Sequence, residues 1–226
     1  MKYLFQLLFL FVFGFCQSQT RINEDLKKVL DEILISDQIL REYSDSEITE
    51  IRKAEILKIT GFSKEELKQN LWKKINIQDS INLKKVEIII SKYGYPGISL
   101  VGEPTSKAAW YVIQHSKKIS IYFPIIKRAG KDNQIPFTLV AMMEDRMLMY
   151  ESREQIYGTQ GAGRRILNKD NKEEFFNFIW PIKNPKKVNK LRIKAGFKNT
   201  VEENAKNLGI EYEIFTIKDY KKLNLI

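Results

Sequence analysis

The chain is expected to be mainly α: a single helical domain with a small β-hairpin or short antiparallel sheet near the C-terminal third. Three observations lead there. Apolar residues recur at spacings of three and four over most of the first 150 positions, the mark of amphipathic helices. Helix-start signals stand at several of the breaks between them. Only after residue 154 do short aromatic-rich segments separated by glycines appear, as strands and turns require.

The first segment is not part of that domain. Lys2 precedes an apolar run over 3–15, interrupted by Gln6, and Cys16–Gln17–Ser18–Gln19 follows. One positive charge, a short apolar run and a small-residue exit form the layout of a secretory signal peptide. The run is well short of the ~20 residues of a spanning helix. Residues 1–18 are therefore expected to leave at a cut before Gln17 or Gln19, and residues 19–226 to form the exported domain, periplasmic or secreted. Lipid attachment at Cys16 is disfavoured by the bulky Phe15 before it. Cys16 is the one cysteine of the chain, so the exported domain must rest on its core and not on disulfides.

Over 23–43, Leu26, Val29, Leu30, Ile33, Leu34 and Leu40 line one helix. Ser63 and Glu66 have capping-box spacing and open a pattern through Leu67, Leu71, Trp72, Ile75, Leu83, Val86 and Ile90: one long helix, or two in series. It stops at Gly94, before a Tyr95–Pro96–Gly97 turn. Pro104 suits a first helical position, with a helix over 105–116. A further helical stretch, 117–129, is interrupted by Pro124, and Pro136 opens another over 137–151. Segments 155–160 and 174–180 read as the strands of a hairpin with a long basic tip. Asn184–Pro185 starts a helix ending at Gly196. Thr200 and Glu203 form a second capping box, with a stop at Gly209, and 211–217 alternates like a strand. Trp72, Trp180 and the methionines at 142, 143, 147 and 149 are assigned to the core.

Net charge is +10. From Lys183 onward there are 11 Lys/Arg against 5 Asp/Glu, so the tail is basic. No helix-turn-helix, zinc-finger or aromatic RNA-binding pattern accompanies it, and with the leader this disfavours nucleic acid. A solvated lysine surface, or attraction to an anionic envelope polymer, accounts for the charge.

Chemistry is suggested where polar residues enter apolar stripes. Asp37 falls between Ile33 and Leu40, with Arg41 one turn on. Arg146 lies within the stripe of Leu139, Met142 and Met149. His115, the chain's one histidine, ends the stripe of Ala108, Tyr111 and Val112. A buried charge costs several kcal/mol unless it is paired or faces a wet cleft. These groups therefore either satisfy one another or line a pocket.

If they line a cleft, His115 is the acid/base candidate, oriented by Asp37 or Asp145. Arg146 would clamp an anion. Gln114, Tyr157, Thr159 and Gln160, with Arg41, would bind the rest of the substrate. Ser116 adjoins His115 but points about a hundred degrees away on a helix, and there is no Gly-x-Ser-x-Gly elbow. One histidine and no cysteine in the exported domain cannot form a usual zinc set. No metal or other cofactor is therefore expected, a carboxylate site for a harder cation being the minor alternative. Gly158–Arg165 lacks the spacing of a phosphate loop and reads as a flexible hairpin tip.

Several of these residues follow one another in a familiar order. They are Asp37–Gln38 with Arg41, Tyr93–Gly94–Tyr95–Pro96, Gly102, Trp110 with Gln114–His115, Asp145–Arg146, and Gln155-x-Tyr157–Gly158–Thr159–Gln160. Pro181–Ile182, Val188, Arg192 and Gly196 close the series. Over about residues 25–209 the chain resembles a bacterial family designated domain of unknown function 6624. The resemblance implies a polar signature and members that are often exported, without an assigned activity. The chain departs from the pattern after Gln160, where Gly161–Arg165 lengthens the hairpin.

Three readings follow. The first is an exported enzyme, a hydrolase using His115 as acid/base. The second is a non-catalytic envelope module binding a small molecule, peptide, glycan or anionic polymer. The third is a purely structural buried polar network.

Overall fold

A computed structural model describes residues 21–223; the expected leader lies outside the described residues. The first stripe forms α1 (Glu24–Tyr43), with the Asn23 side chain accepting from the Leu26 amide. A short helix follows, α2 (Glu50–Thr60), capped by Thr49. Periodicity gives no sign of it because its apolar residues do not share a face: Ile56 is buried while Ile51 and Ile59 are exposed.

One unbroken helix, α3 (Lys64–Tyr93), takes up the next pattern and stops at Gly94. Ser63 caps it by accepting from the Glu66 amide, but Glu66 does not reach back. Its carboxylate pairs with Lys74 instead, so half of the expected box is present. Trp72, expected in the core, is 64% exposed on α3. It faces away from the Leu67–Ile75 stripe.

After a single turn, α4 (Ile98–Val101), the segment expected as one helix over 105–116 divides. Thr105–Lys107 is a 3-10 turn and α5 runs from Ala108 to Gln114, with His115 as its C-cap. Next come α6 (Ile119–Lys131) and α7 (Phe137–Tyr150). Pro124 does not interrupt α6. It sits on the exposed side of the helix, where water meets the carbonyl it leaves unbonded.

The hairpin is real and its second strand lies within one residue of the expected one, but its first strand is displaced. β1 (Gly161–Leu167) pairs antiparallel with β2 (Glu173–Ile179), Gly161 opposite Ile179 and Leu167 opposite Glu173. What was read as a flexible tip is thus the first strand. Residues 155–160 form a loop, tied to the chain after β2 by a bridge between Gln155 and Ile182. A 3-10 turn and α8 (Val188–Ala195) follow, then α9 (Val201–Asn207), whose Thr200–Glu203 capping box is complete. The expected strand over 211–217 is absent. Its residues lie across the hairpin, the Phe215 ring 4.5 Å from that of Phe178, and a last turn, α10 (Ile217–Tyr220), follows.

The buried apolar residues fall in three groups. The largest joins α1, the C-terminal half of α3, α5, α6 and α7, with Leu30, Val86, Ile113, Ile126, Val140 and Met143 at its centre. A second joins the end of α1 to α2 and the start of α3 through Ile39, Leu40, Ile56, Leu67 and Ile75. The third lies under the hairpin, α8 and α9, around Ile179, Val188 and Val201. No helix among the described residues is long and apolar enough to cross a membrane.

Candidate functional site

α1, α3 and α5 pack on one another, and each brings a polar side chain to the place where they meet. On α1, Asp37 continues the inward stripe of Leu26, Leu30 and Ile33, and is 1% exposed. On α3, Asp79 stands one turn beyond Ile75 and one turn before Asn82, itself fully buried. His115 hangs from the C-terminus of α5. One carboxylate oxygen of Asp37, one of Asp79 and a ring nitrogen of His115 all lie within 4.8 Å of one another.

The hydrogen bonds at this junction are unevenly shared. Gln38 Nε2 donates to Asp37 Oδ2 at 2.6 Å. Arg41 donates from Nη2 to Asp79 Oδ2 at 2.8 Å and from Nη1 to the Asp37 carbonyl at 2.7 Å. Its Nη1 stands 3.8 Å from Asp37 Oδ2. Each carboxylate thus commits one oxygen to a protein donor. The other oxygens, Asp37 Oδ1 and Asp79 Oδ1, are buried with no protein hydrogen-bond partner. His115 Nδ1 is in the same condition. It lies 3.3 Å from Asp37 Oδ2, but the angle does not make a bond. The side chains of His115, Asp79 and Arg41 are 16%, 19% and 21% exposed, so solvent reaches the edge of the cluster.

A second polar cluster is built differently. Asp145 on α7 is fully buried. Its Oδ1 accepts from the amides of Ile156 and Tyr157, at 2.7 and 3.0 Å. Its Oδ2 accepts from the Thr159 amide and hydroxyl, at 3.0 and 2.9 Å. Burial pushes this carboxyl up from its usual range, against the pull of those donors. Around it, Gln160 Nε2 donates to the Thr159 hydroxyl. Gln155 donates to the carbonyls of Gln160 and Trp180 and accepts from the Gln160 amide. Buried Arg192 donates to the Tyr157 carbonyl at 2.9 Å and lies 4.5 Å from the centre of the Phe197 ring. Burial pushes the Tyr157 phenol up, helped by the charges of Glu144 and Asp145.

The expected site residues therefore divide. His115, Asp37 and Arg41 come together. Asp145, Thr159 and Gln160 bind one another and the loop, joined there by the Tyr157 backbone. Arg146 and Gln114 stand between the clusters: Arg146 Nη1 reaches the Gln114 carbonyl at 3.4 Å, a weak bond, and has no carboxylate partner among the described residues. A Trp110 Nε1 bond to the Leu139 carbonyl at 2.8 Å fixes α5 on α7 beside them.

Asp79 and the donor Gln38 were not among the residues expected at the site. Asp79 was legible by the test that found Asp37, a polar residue at a core position of the stripe Ile75–Asp79–Asn82–Val86.

The model of a family described as of unknown function, DUF6624, matches residues 37–215. The chain belongs to the DUF6624 family. The match opens at Asp37 itself and takes in every residue of both clusters. It also runs past Gly209, where the resemblance stopped, as far as Phe215. No curated protein and no solved structure gives a significant match to the chain. The first three turns of α1 lie ahead of the stretch matched to the DUF6624 family.

Proposed function

We propose that this protein is a hydrolase whose reaction centre is the Asp37–Asp79–His115 cluster, with Arg146 and Gln114 at its mouth. The observation that carries the reading is the set of three unpartnered, buried polar atoms drawn from three different helices. Leaving such atoms without partners costs about 1–3 kcal/mol each, a cost a purely structural network would avoid. Hydrolysis needs a group that takes a proton from water and returns one to the leaving group. His115, partly exposed and able to carry a proton near neutral pH, suits that acid/base role, with the buried Asp37 behind it. Arg146, lacking a carboxylate partner, suits an anionic group on the substrate.

The test is a screen of anionic esters, phosphates, amides and glycosides, followed by variants. His115→Ala should lower kcat/KM about 100-fold or more. Arg146→Met should act mainly on KM, as loss of a binding contact does. Turnover unchanged by His115→Ala would remove the cluster from the reaction.

A second reading, a module for a peptide, glycan or anionic polymer, is favoured by the basic C-terminal stretch, where 11 Lys/Arg stand against 5 Asp/Glu from Lys183 onward. Binding there should weaken steeply with added salt; indifference to salt would count against it. Export, in either reading, rests on the pattern of residues 1–18.

A further inference from the structure

We propose that Asp37, Asp79 and His115 form a binding site for a divalent first-row transition cation. The inference takes its centre from the reading above and changes the part His115 plays, from proton carrier to ligand. Three observations support it.

The first is the donor set. Two carboxylates and an imidazole from three helices are the oxygen–nitrogen mixture that suits manganese or iron, zinc being the less usual occupant of a set with one histidine and no cysteine. Three protein ligands also leave coordination positions for water or substrate. The ligand-type atoms lie within 4.8 Å of one another, and bonds of about 2.1 Å would bring them roughly 3–3.4 Å apart. Small side-chain rotations cover the difference.

The second is the pattern of hydrogen bonds. Metal-binding carboxylates are commonly held through one oxygen by a neighbouring donor while the other faces the ion. Here Gln38 holds Asp37 Oδ2 and Arg41 holds Asp79 Oδ2, while both Oδ1 atoms and His115 Nδ1 are buried without protein partners. A salt-bridge network would instead direct Nδ1–H onto Asp37 Oδ2, yet at 3.3 Å the two make no hydrogen bond. Such a network would still leave both Oδ1 atoms unmet.

The third is charge. Arg41 is the one arginine in contact with the two carboxylates, so Asp37, Asp79 and Arg41 together carry one negative charge, while Arg146 rests on the Gln114 carbonyl instead. A cation offsets that charge where the side chains themselves do not.

The chain's single histidine makes the test clean. Mn2+ is titrated into purified, metal-stripped, untagged full chain. Binding is followed by calorimetry, and the His115 ring resonances are followed by NMR. One equivalent should bind and broaden the His115 signals. Asp79→Asn and His115→Ala should each lose at least 10-fold in affinity, and Gln38→Ala about 10–100-fold as a second-sphere change. Glu173→Gln on the hairpin should bind as the unaltered protein does.

Failure to bind either Mn2+ or Zn2+, binding without broadening, or binding that survives both ligand substitutions would each overturn the site. The wild-type NMR result decides even if a variant fails to fold. No step of this needs a substrate. Hydrolysis that persists in a protein unable to bind metal would sink the cation and leave the hydrolase standing. Metal binding without any hydrolysis would do the reverse.

Discussion

Asp37 and Asp145 are both buried aspartates on helices, and their surroundings give them opposite work. Asp145 has both oxygens filled by amide and hydroxyl donors from residues 156–159, so it holds a loop in place. Asp37 has one oxygen filled and one unmet. Replacing Asp145 by Asn turns an acceptor into a donor facing backbone N–H groups. We expect a loss of about 3 kcal/mol, or roughly 6–12 °C in Tm, measured by calorimetry. Asp37→Asn removes a charge from an undersatisfied junction and should leave Tm unchanged or raised, as at many working sites. A large fall in Tm for Asp37→Asn would mean that the cluster serves the fold alone.

Contacts between elements decide how rigidly the junction is held. Glu87 on α3 accepts from Lys118 Nζ at 2.6 Å and from the Tyr122 hydroxyl at 2.9 Å, pinning α6 to the helix that carries Asp79. The Lys118 hydrogen bond, aided by Tyr122 and the Lys118 charge against the cost of burial, holds the Glu87 carboxyl below its usual range. A lowered carboxylate contributes stability that is present above the unfolded value of about 4.3 and is lost as pH falls through the folded one. Lys118 is partly exposed, which screens the pair. Glu87→Gln should therefore cost about 0.5 kcal/mol at pH 7. Urea titrations should show the gap closing as pH drops below about 4. A gap constant from pH 7 to 3 would show that charge is not its source.

The hairpin belongs to the same scale. Gly161 and Gly163 looked like a loop because glycine is rare within strands. Both are crowded in the fold: a Cβ on Gly161 would lie 2.7 Å from Ile210 Cδ1, and one on Gly163 would lie 2.5 Å from the Phe175 ring, so a larger residue at either must displace those groups. The strand accepts them because neighbouring side chains fill the space, which no local pattern reveals.

Across the whole molecule, stability is unevenly distributed. The five buried residues of the α2 cluster stand apart from the large core of α1, α3, α5, α6 and α7. Sparse burial favours local opening. Amides of α2 should therefore exchange with deuterium well before those of α5 and α7. Ile56→Ala should speed exchange in α2 while leaving α5 protected. Uniform protection across the three helices would mean that the protein opens as one unit.

The helical class, the caps at Ser63 and Thr200, and the intrusion of Asp37 and His115 into apolar stripes were readable from the chain itself. All of these depend on periodicity and on neighbours within a few residues. Tertiary structure alone decided which intrusions meet. It brought Asp79 to Asp37 and His115, wrapped Asp145 in backbone amides, and placed Arg146 between the two clusters. Periodicity tells which side of a helix faces inward. The distance between inward faces depends on how helices cross and slide on one another, and that is settled by packing among residues far apart in the chain.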